Sequence, residues 1–187
     1  MIEFQPLRKD DLPLVRDWLE REHVRKWWRD SLDESIAEYE QAIDGLDPSE
    51  HYLIVLDGRP FGMIETYLVS DHPEWDEIVQ VGEGVAGVDL LIGEEDLTGR
   101  GFGPHVLEEF AERIVFANAA THACVAAVDE ENRRSWRAFE KAGFRYVRDV
   151  EEEGRRHRLM RLDRPAREAD PGEPKAQWNW HTFGTEP

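Results

Sequence analysis

A mixed α/β layer with an antiparallel front half is the fold class this sequence predicts. Two observations carry the prediction. Apolar runs of strand length and segments of helical periodicity follow one another as strand, two helices, three strands, helix, strand, helix and hairpin. Within the front half, Asp57-Gly58 separates two apolar runs by a turn that favours an antiparallel hairpin.

Ile2 to Leu7 alternates weakly and reads as the first strand. Asp10 and Asp11 are caps for a helix whose first turn accepts Pro13, and Leu12, Val15, Trp18 and Leu19 form its apolar stripe. His23 to Trp28 reads as a polar loop with paired tryptophans, which either plug the core or floor a substrate site. Ser31 or Asp33 caps a second helix, with Leu32, Ile36, Tyr39 and Ile43 on one face and Gly45 and Pro48 ending it. Tyr52–Leu56 is a buried strand, and its partner runs from Pro60 to Val69 with Gly62 a candidate bulge. Ser70 to Gly84 reads as a long acid-rich connection with Trp75 in its middle, placed to cover a site.

The next strand is Gly87-Val88-Asp89-Leu90-Leu91-Ile92, followed by the turn Thr98-Gly99-Arg100-Gly101-Phe102-Gly103. A helix over Pro104–Phe116, a strand over Cys124–Val128 and a helix over Asn132–Ala142 come after it, and Phe144–Val150 with His157–Leu162 close the fold as a hairpin. A domain over residues 1–163 is expected. Residues 164–187 hold four prolines and scattered acids and read as a tail, with an aromatic cluster at Trp178-Asn179-Trp180-His181-Thr182-Phe183.

Composition narrows the function. A chain of 187 residues with 40% apolar residues and seven tryptophans can bury one sizeable core. One cysteine, Cys124, excludes an internal disulfide and a cysteine-rich zinc site, and no metal is expected. The net charge of −18 argues against nucleic acid as a partner. It suits either a strongly solvated, halophilic type of surface or attraction of a polycation; four lysines beside nineteen arginines favour the first for most of the charge. The chain has no apolar run of membrane-spanning length and no signal-type start, so a cytoplasmic protein without a membrane partner is expected.

The glycine turn carries the chemistry. Its glycines let the backbone approach a ligand closely, and it empties into a helix start, where free N–H groups and the positive dipole end suit a pyrophosphate. Pro104 costs nothing in that first turn. The turn lacks the Gly-Lys-Ser/Thr of a P-loop, and Gly99-Arg100-Gly101-Phe102-Gly103 lacks the second spacing of a dinucleotide fingerprint.

Residues 98–103 resemble the pyrophosphate loop of the GNAT superfamily of acetyl-CoA-dependent N-acetyltransferases, with Thr98 where that loop begins with Gln or Arg. Asn132 through Glu140-Lys141-Ala142-Gly143-Phe144 resembles the second motif of that superfamily. Within it the chain is most similar to aminoglycoside 6′-N-acetyltransferases, through Phe4-x-Pro6-Leu7, Asp11-Leu12-Pro13-Leu14, Trp18-Leu19, His23-Val24, Trp27-Trp28, Tyr67, Trp75 and Gly87–Ile92.

The resemblance implies a GNAT-like sheet with a splayed central strand pair, acetyl-CoA as co-substrate, and acetylation of a primary amine on a small polycation. Asp89 is then the catalytic acid that orients the ammonium and accepts its proton. Backbone groups of Leu91 and Ile92, the residues Thr98, Gly99, Arg100, Gly101, Phe102, Gly103 and Pro104, and the Asn132 side chain are the expected cofactor contacts. Trp28, Glu65, Tyr67, Trp75, Asp89 and Asp129 are the expected substrate contacts, with Asp76 nearby; a helix cap is the equal alternative for Asp129. Phe139 stands where the family often has a tyrosine that protonates the thiolate. A siderophore hydroxylamine, a polyamine or a protein N-terminus are alternative acceptors, and a non-catalytic acyl-CoA-binding module is the alternative from another class. The protein is expected as a monomer or homodimer.

Overall fold

In the computed structural model, which describes residues 1–152 and 154–166, one seven-stranded sheet orders the chain. The elements are β1 (Ile2–Pro6), α1 (Leu12–Glu20), α2 (Glu22–Arg25), α3 (Leu32–Ile43), β2 (Glu50–Leu56), β3 (Arg59–Leu68), α4 (Pro73–Val79), β4 (Val85–Ile92), α5 (Phe102–Arg113), β5 (Ala123–Asp129), α6 (Arg133–Lys141), β6 (Arg145–Glu152) and β7 (Arg155–Asp163). The strands lie in the order β1-β2-β3-β4-β5-β7-β6. Each neighbouring pair is antiparallel except β4 and β5.

Period-2 alternation divides the sheet's faces. Leu53, Val55, Met63 and Leu91 pack on α1 and α3 through Leu12, Val15, Trp18, Leu19 and Tyr39. Ile54, Ile64, Ala86 and Val88 face α5 and α6 through Val106, Leu107, Phe110 and Phe139. A third cluster, Val69, Val79, Val85, Val125 and Leu159, packs beneath α4. Phe139, the residue in the tyrosine position, is buried in the α5–α6 cluster, edge-to-face with Phe144 at 5.0 Å, and brings no hydroxyl.

Local signals account for the joints. Asp57 and Gly58 both take positive φ, 49° and 82°, as a primed hairpin turn requires. The β2–β3 register slips between Ile54 and Val55, which leaves Phe61 as the extra residue beside Gly62. The Phe61 carbonyl accepts from the Gly93 and Glu94 N–H groups and so ties off the end of β4.

Two stretches expected as loops contain helices. Residues 22–25 form one helical turn that buries Val24. The connection from 70 to 84 holds α4, with Pro73 at its start, Glu74 and Asp76 in its first turn and Gln80 in the left-handed conformation at its end. The acids that suggested a polar loop are the residues a helix N-terminus favours. Arg164, read as the first residue of the tail, is tied to the body by its N–H to His122 and by its guanidinium to the carbonyls of Thr121, Phe116 and Asn118. The aromatic cluster from Trp178 to Phe183 lies outside the described residues.

Candidate active site

The parallel β4–β5 ladder is short: Val85, Ala86 and Gly87 pair with Ala123, Cys124 and Val125. Beyond Gly87, β4 stays paired with β3 as far as Ile92, while β5 continues along β7. The central pair therefore splays, and alternate backbone groups of Val88–Ile92 face the gap instead of a strand. Leu91 and Ile92 lie on this edge. The Ile92 carbonyl accepts from His23 Nε2 at 3.1 Å, a contact the sequence did not suggest.

The edge leads to the glycine turn. Gly99 and Gly101 have φ of 72° and 88°, and Gly101 caps the twelve-residue α5 without any side-chain cap. The first N–H groups of α5, at Phe102 and Gly103, are thus left for a ligand, and Pro104 has none to leave. Thr98 turns its hydroxyl inward, donating to the Glu95 carbonyl at 2.8 Å. Arg100 is exposed. The turn packs on α6: a methyl added at Gly103 would lie 3.4 Å from Ala138, and one at Gly99 would lie 3.9 Å from the Arg134 guanidinium carbon. Asn132 caps α6 by accepting from the Ser135 N–H at 3.2 Å, which leaves its NH₂ group for another partner.

Glu94 anchors this corner, again without a sequence signal. It accepts from the Trp18 indole at 2.9 Å and from Arg21 and Arg59 at 3.1 and 2.7 Å. The Trp18 hydrogen bond first, then the two arginines, hold its carboxyl below the usual glutamate range.

On the α1–α3 face the same phase that buries Leu91 and Met63 brings Asp89 and Glu65 directly opposite one another across β4 and β3. They line a cavity of about 460 Å³ together with Trp28, Tyr67 and Trp75. Tyr67 donates its hydroxyl to Asp89 Oδ2 at 3.2 Å. Enclosure by protein first, and then the Glu65 charge, push the Asp89 carboxyl up to about 8, against the Tyr67 bond that favours its ionised form. Burial, followed by the Asp89 and Glu65 charges, drives the Tyr67 phenol well above its ordinary value.

Among the described residues four further acids line the cavity, Asp30, Glu38, Asp47 and Glu152, and no Lys or Arg does. Burial, then the charges of Asp30, Glu65 and Asp47, raises the Glu38 carboxyl. Tyr39, His51 and His72 complete much of the wall. His51 escaped the sequence reading because the strand was expected to begin at Tyr52, although His51 continues the phase of Leu53 and Val55.

The cavity thus gathers five of the six expected substrate residues. Asp129 is not among them. Its carboxylate accepts from the Glu131 N–H at 2.9 Å and pairs with Arg155, which holds it at the β5–α6 corner. Nor does it cap α6, since Asn132 does. Asp76 also lies off the cavity lining.

An open strand edge thus leads into a bare helix start behind a glycine turn, and the same strand carries Asp89 in an acid-lined cavity. The profile of the acetyltransferase (GNAT) domain matches residues 8–152. The chain belongs to the GNAT acetyltransferase family, whose members are acetyl-CoA-dependent N-acetyltransferases. Aminoglycoside N(6′)-acetyltransferases type 1 of Klebsiella pneumoniae and Serratia marcescens are each 26% identical to it over 145 residues, covering 74% of this chain and 71% of the relative. Among solved structures, aminoglycoside acetyltransferase AAC(6′)-Ib in complex with coenzyme A shares the fold with a TM-score of 0.78 at 24% identity, covering 88% of this chain and 95% of the other. The aminoglycoside N(6′)-acetyltransferase of Legionella pneumophila does so with a TM-score of 0.71 at 20% identity, covering 87% and 91%. The GNAT membership and the splayed sheet expected from the two motifs are therefore established.

Proposed function

We propose that this protein transfers the acetyl group of acetyl-CoA to a primary amine of a small polycationic acceptor, foremost the 6′-amine of an aminoglycoside, by direct attack in a ternary complex. The observation that carries the reading is the cavity: among the described residues six carboxylates and no Lys or Arg line it, and one of them, Asp89, stands on β4 beyond the last residue paired with β5. Six acids ask for a ligand with several positive charges, and Trp28 and Trp75 offer faces on which sugar rings stack. The curated relatives are named as acetyltransferases of aminoglycosides, which supports the same choice.

The residues present fit acetyl-CoA. Phe102 and Gly103 N–H groups and Arg100 would take the pyrophosphate, the Leu91 and Ile92 backbone and the Asn132 amide the arm. The thioester supplies an electrophilic carbonyl. Glu65 and Asp89 receive the acceptor ammonium, and Asp89 takes its proton, leaving the nitrogen lone pair free to attack. A carboxyl poised near 8 is a better match to an ammonium than an ordinary carboxylate, because proton transfer is then nearly balanced. The carbon–nitrogen bond forms as the carbon–sulfur bond breaks, and the departing thiolate takes the second proton of the nitrogen, directly or through water, because position 139 holds no phenol to supply one. This base beside the thioester site also speaks against a non-catalytic acyl-CoA binder.

Thiol release from acetyl-CoA, measured with 6′-amino aminoglycosides, a 6′-hydroxy analogue and spermidine, tests the reading. Release with the 6′-amino compounds and failure of the analogue support it. Release with spermidine alone moves the assignment to linear polyamines, and no release with any amine contradicts it.

A further inference from the structure

His51 on β2, Glu65 on β3 and Asp89 on β4 are consecutive partners in the sheet register, so one row crosses three strands on the cavity face. His51 Nε2 lies 2.5 Å from Glu65 Oε2, with 6% of the histidine side chain and 15% of the glutamate side chain exposed. His51 Nδ1 is buried without a partner. The ring packs on Tyr39 at 4.8 Å. A buried imidazole that leaves one nitrogen unsatisfied is a costly filler for this position, so its worth lies in the other nitrogen. That nitrogen donates to Glu65 in the neutral Nε2–H tautomer and in the imidazolium alike. Glu65 and Asp89 face each other as two acids, an arrangement that like-charge repulsion works to open. What keeps Glu65 in the row is the His51 bond.

We propose that His51 is a positioning residue for acetyl transfer: it holds the Glu65 carboxylate against Asp89, so that the acid pair, rather than Asp89 alone, forms the proton-accepting site for the acceptor ammonium. The inference rests on the acetyl-transfer reading above. In the step itself the ammonium N–H bond breaks, its electron pair stays on nitrogen, and the proton bonds to an Asp89 oxygen. Glu65 contributes by keeping Asp89 basic enough to receive it. The other groups facing this row are Tyr67 on β3, Glu38 and Tyr39 on α3, Glu152 on β6, and Asp30, Asp47 and His72 from the connecting segments. All are acids or phenols except His72, so no Lys or Arg among the described lining residues competes with His51 for Glu65.

The test is a carboxyl ¹³C NMR titration of Asp89 in the full chain, alongside the pH profile of kcat/KM. His51→Phe keeps a ring on Tyr39 and removes the donor; His51→Gln places an amide N–H near the lost Nε2. Glu65→Gln should lower the Asp89 midpoint by about one unit or more, and His51→Phe should lower it in the same direction by less. The ascending limb of kcat/KM should follow. The double variant should match Glu65→Gln alone, because His51 acts through Glu65. His51→Gln should restore the midpoint toward that of the wild type. An Asp89 midpoint unmoved or raised by His51→Phe overturns the proposal, as does additivity in the double variant. If the midpoints move as stated but the wild type acetylates no amine, the acetyl-transfer reading fails and the His51–Glu65–Asp89 coupling stands. If turnover is present and the midpoints do not move, the coupling fails alone.

Discussion

Gly87 is opposite Tyr67 in the β3–β4 register, and the tyrosine ring lies where a side chain would be. A Cβ at position 87 would sit 2.3 Å from Tyr67 Cζ and 2.7 Å from its hydroxyl oxygen. Non-bonded carbons rest about 3.5–4.0 Å apart, so in Gly87→Ala the ring must retreat by more than about 1 Å. It has little room, being packed edge-on to His72 at 4.8 Å. The hydroxyl's 3.2 Å bond to Asp89 is already long and would not survive that movement. Overpacking of this kind costs about 1–3 kcal/mol and the lost hydrogen bond about 1 more. At roughly 2–4 °C per kcal/mol for a domain of this size, the unfolding midpoint should fall by about 5–15 °C by scanning calorimetry. Because the Tyr67 bond favours ionised Asp89, the Asp89 titration should also move to higher pH. Adding Tyr67→Leu should recover part of the thermal loss and none of the titration shift. A Gly87→Ala protein that melts within about 2 °C of the wild type, with Asp89 titrating unchanged, would refute the packing argument.

Other outcomes follow from the same geometry. Asp89 binds its proton more tightly folded than unfolded, so its contribution to stability is present below the ordinary carboxylate range and is lost as pH rises from there through about 8. Asp89→Asn should therefore raise the melting midpoint, by on the order of 5 °C at pH 8 and by little at pH 4. Gly101→Val forces a β-branched residue to φ 88°, at a cost of about 1–2 kcal/mol or more, and should raise the KM for acetyl-CoA several-fold with the acceptor KM unchanged. Asp129→Asn loses the partner of Arg155, which is 30% exposed, so about 1–2 kcal/mol of stability should go by denaturant titration while the acceptor KM stays put.

The route of the chain was legible because its signals are local. Asp57-Gly58 announced a hairpin, and Gly99 and Gly101 with Asn132 announced two helix starts. The place of Asp89 in the cavity was legible because an acid between Val88 and Leu90 needs a reason. α4 was missed because seven residues with acids at their front resemble a solvated loop. The wall of the cavity was missed because its members come from five separate segments: Asp30, Glu38, Asp47, His51 and Glu152 meet only when β2, β3, β4 and β6 have been placed. Asp129 misled for the converse reason. It follows an apolar run as Asp89 sits in one, but Arg155 from the neighbouring strand claims it, and strand pairing of that range leaves no mark in the local sequence.

In the proposed reaction Asp89 takes the proton of the acceptor amine beside bound acetyl-CoA. Its most direct test is Asp89→Asn, with coenzyme A affinity measured by calorimetry and turnover by thiol release on the same preparation. Unchanged coenzyme A affinity and a turnover lower by about 10²–10⁴-fold are expected. Turnover equal to that of the wild type would contradict it.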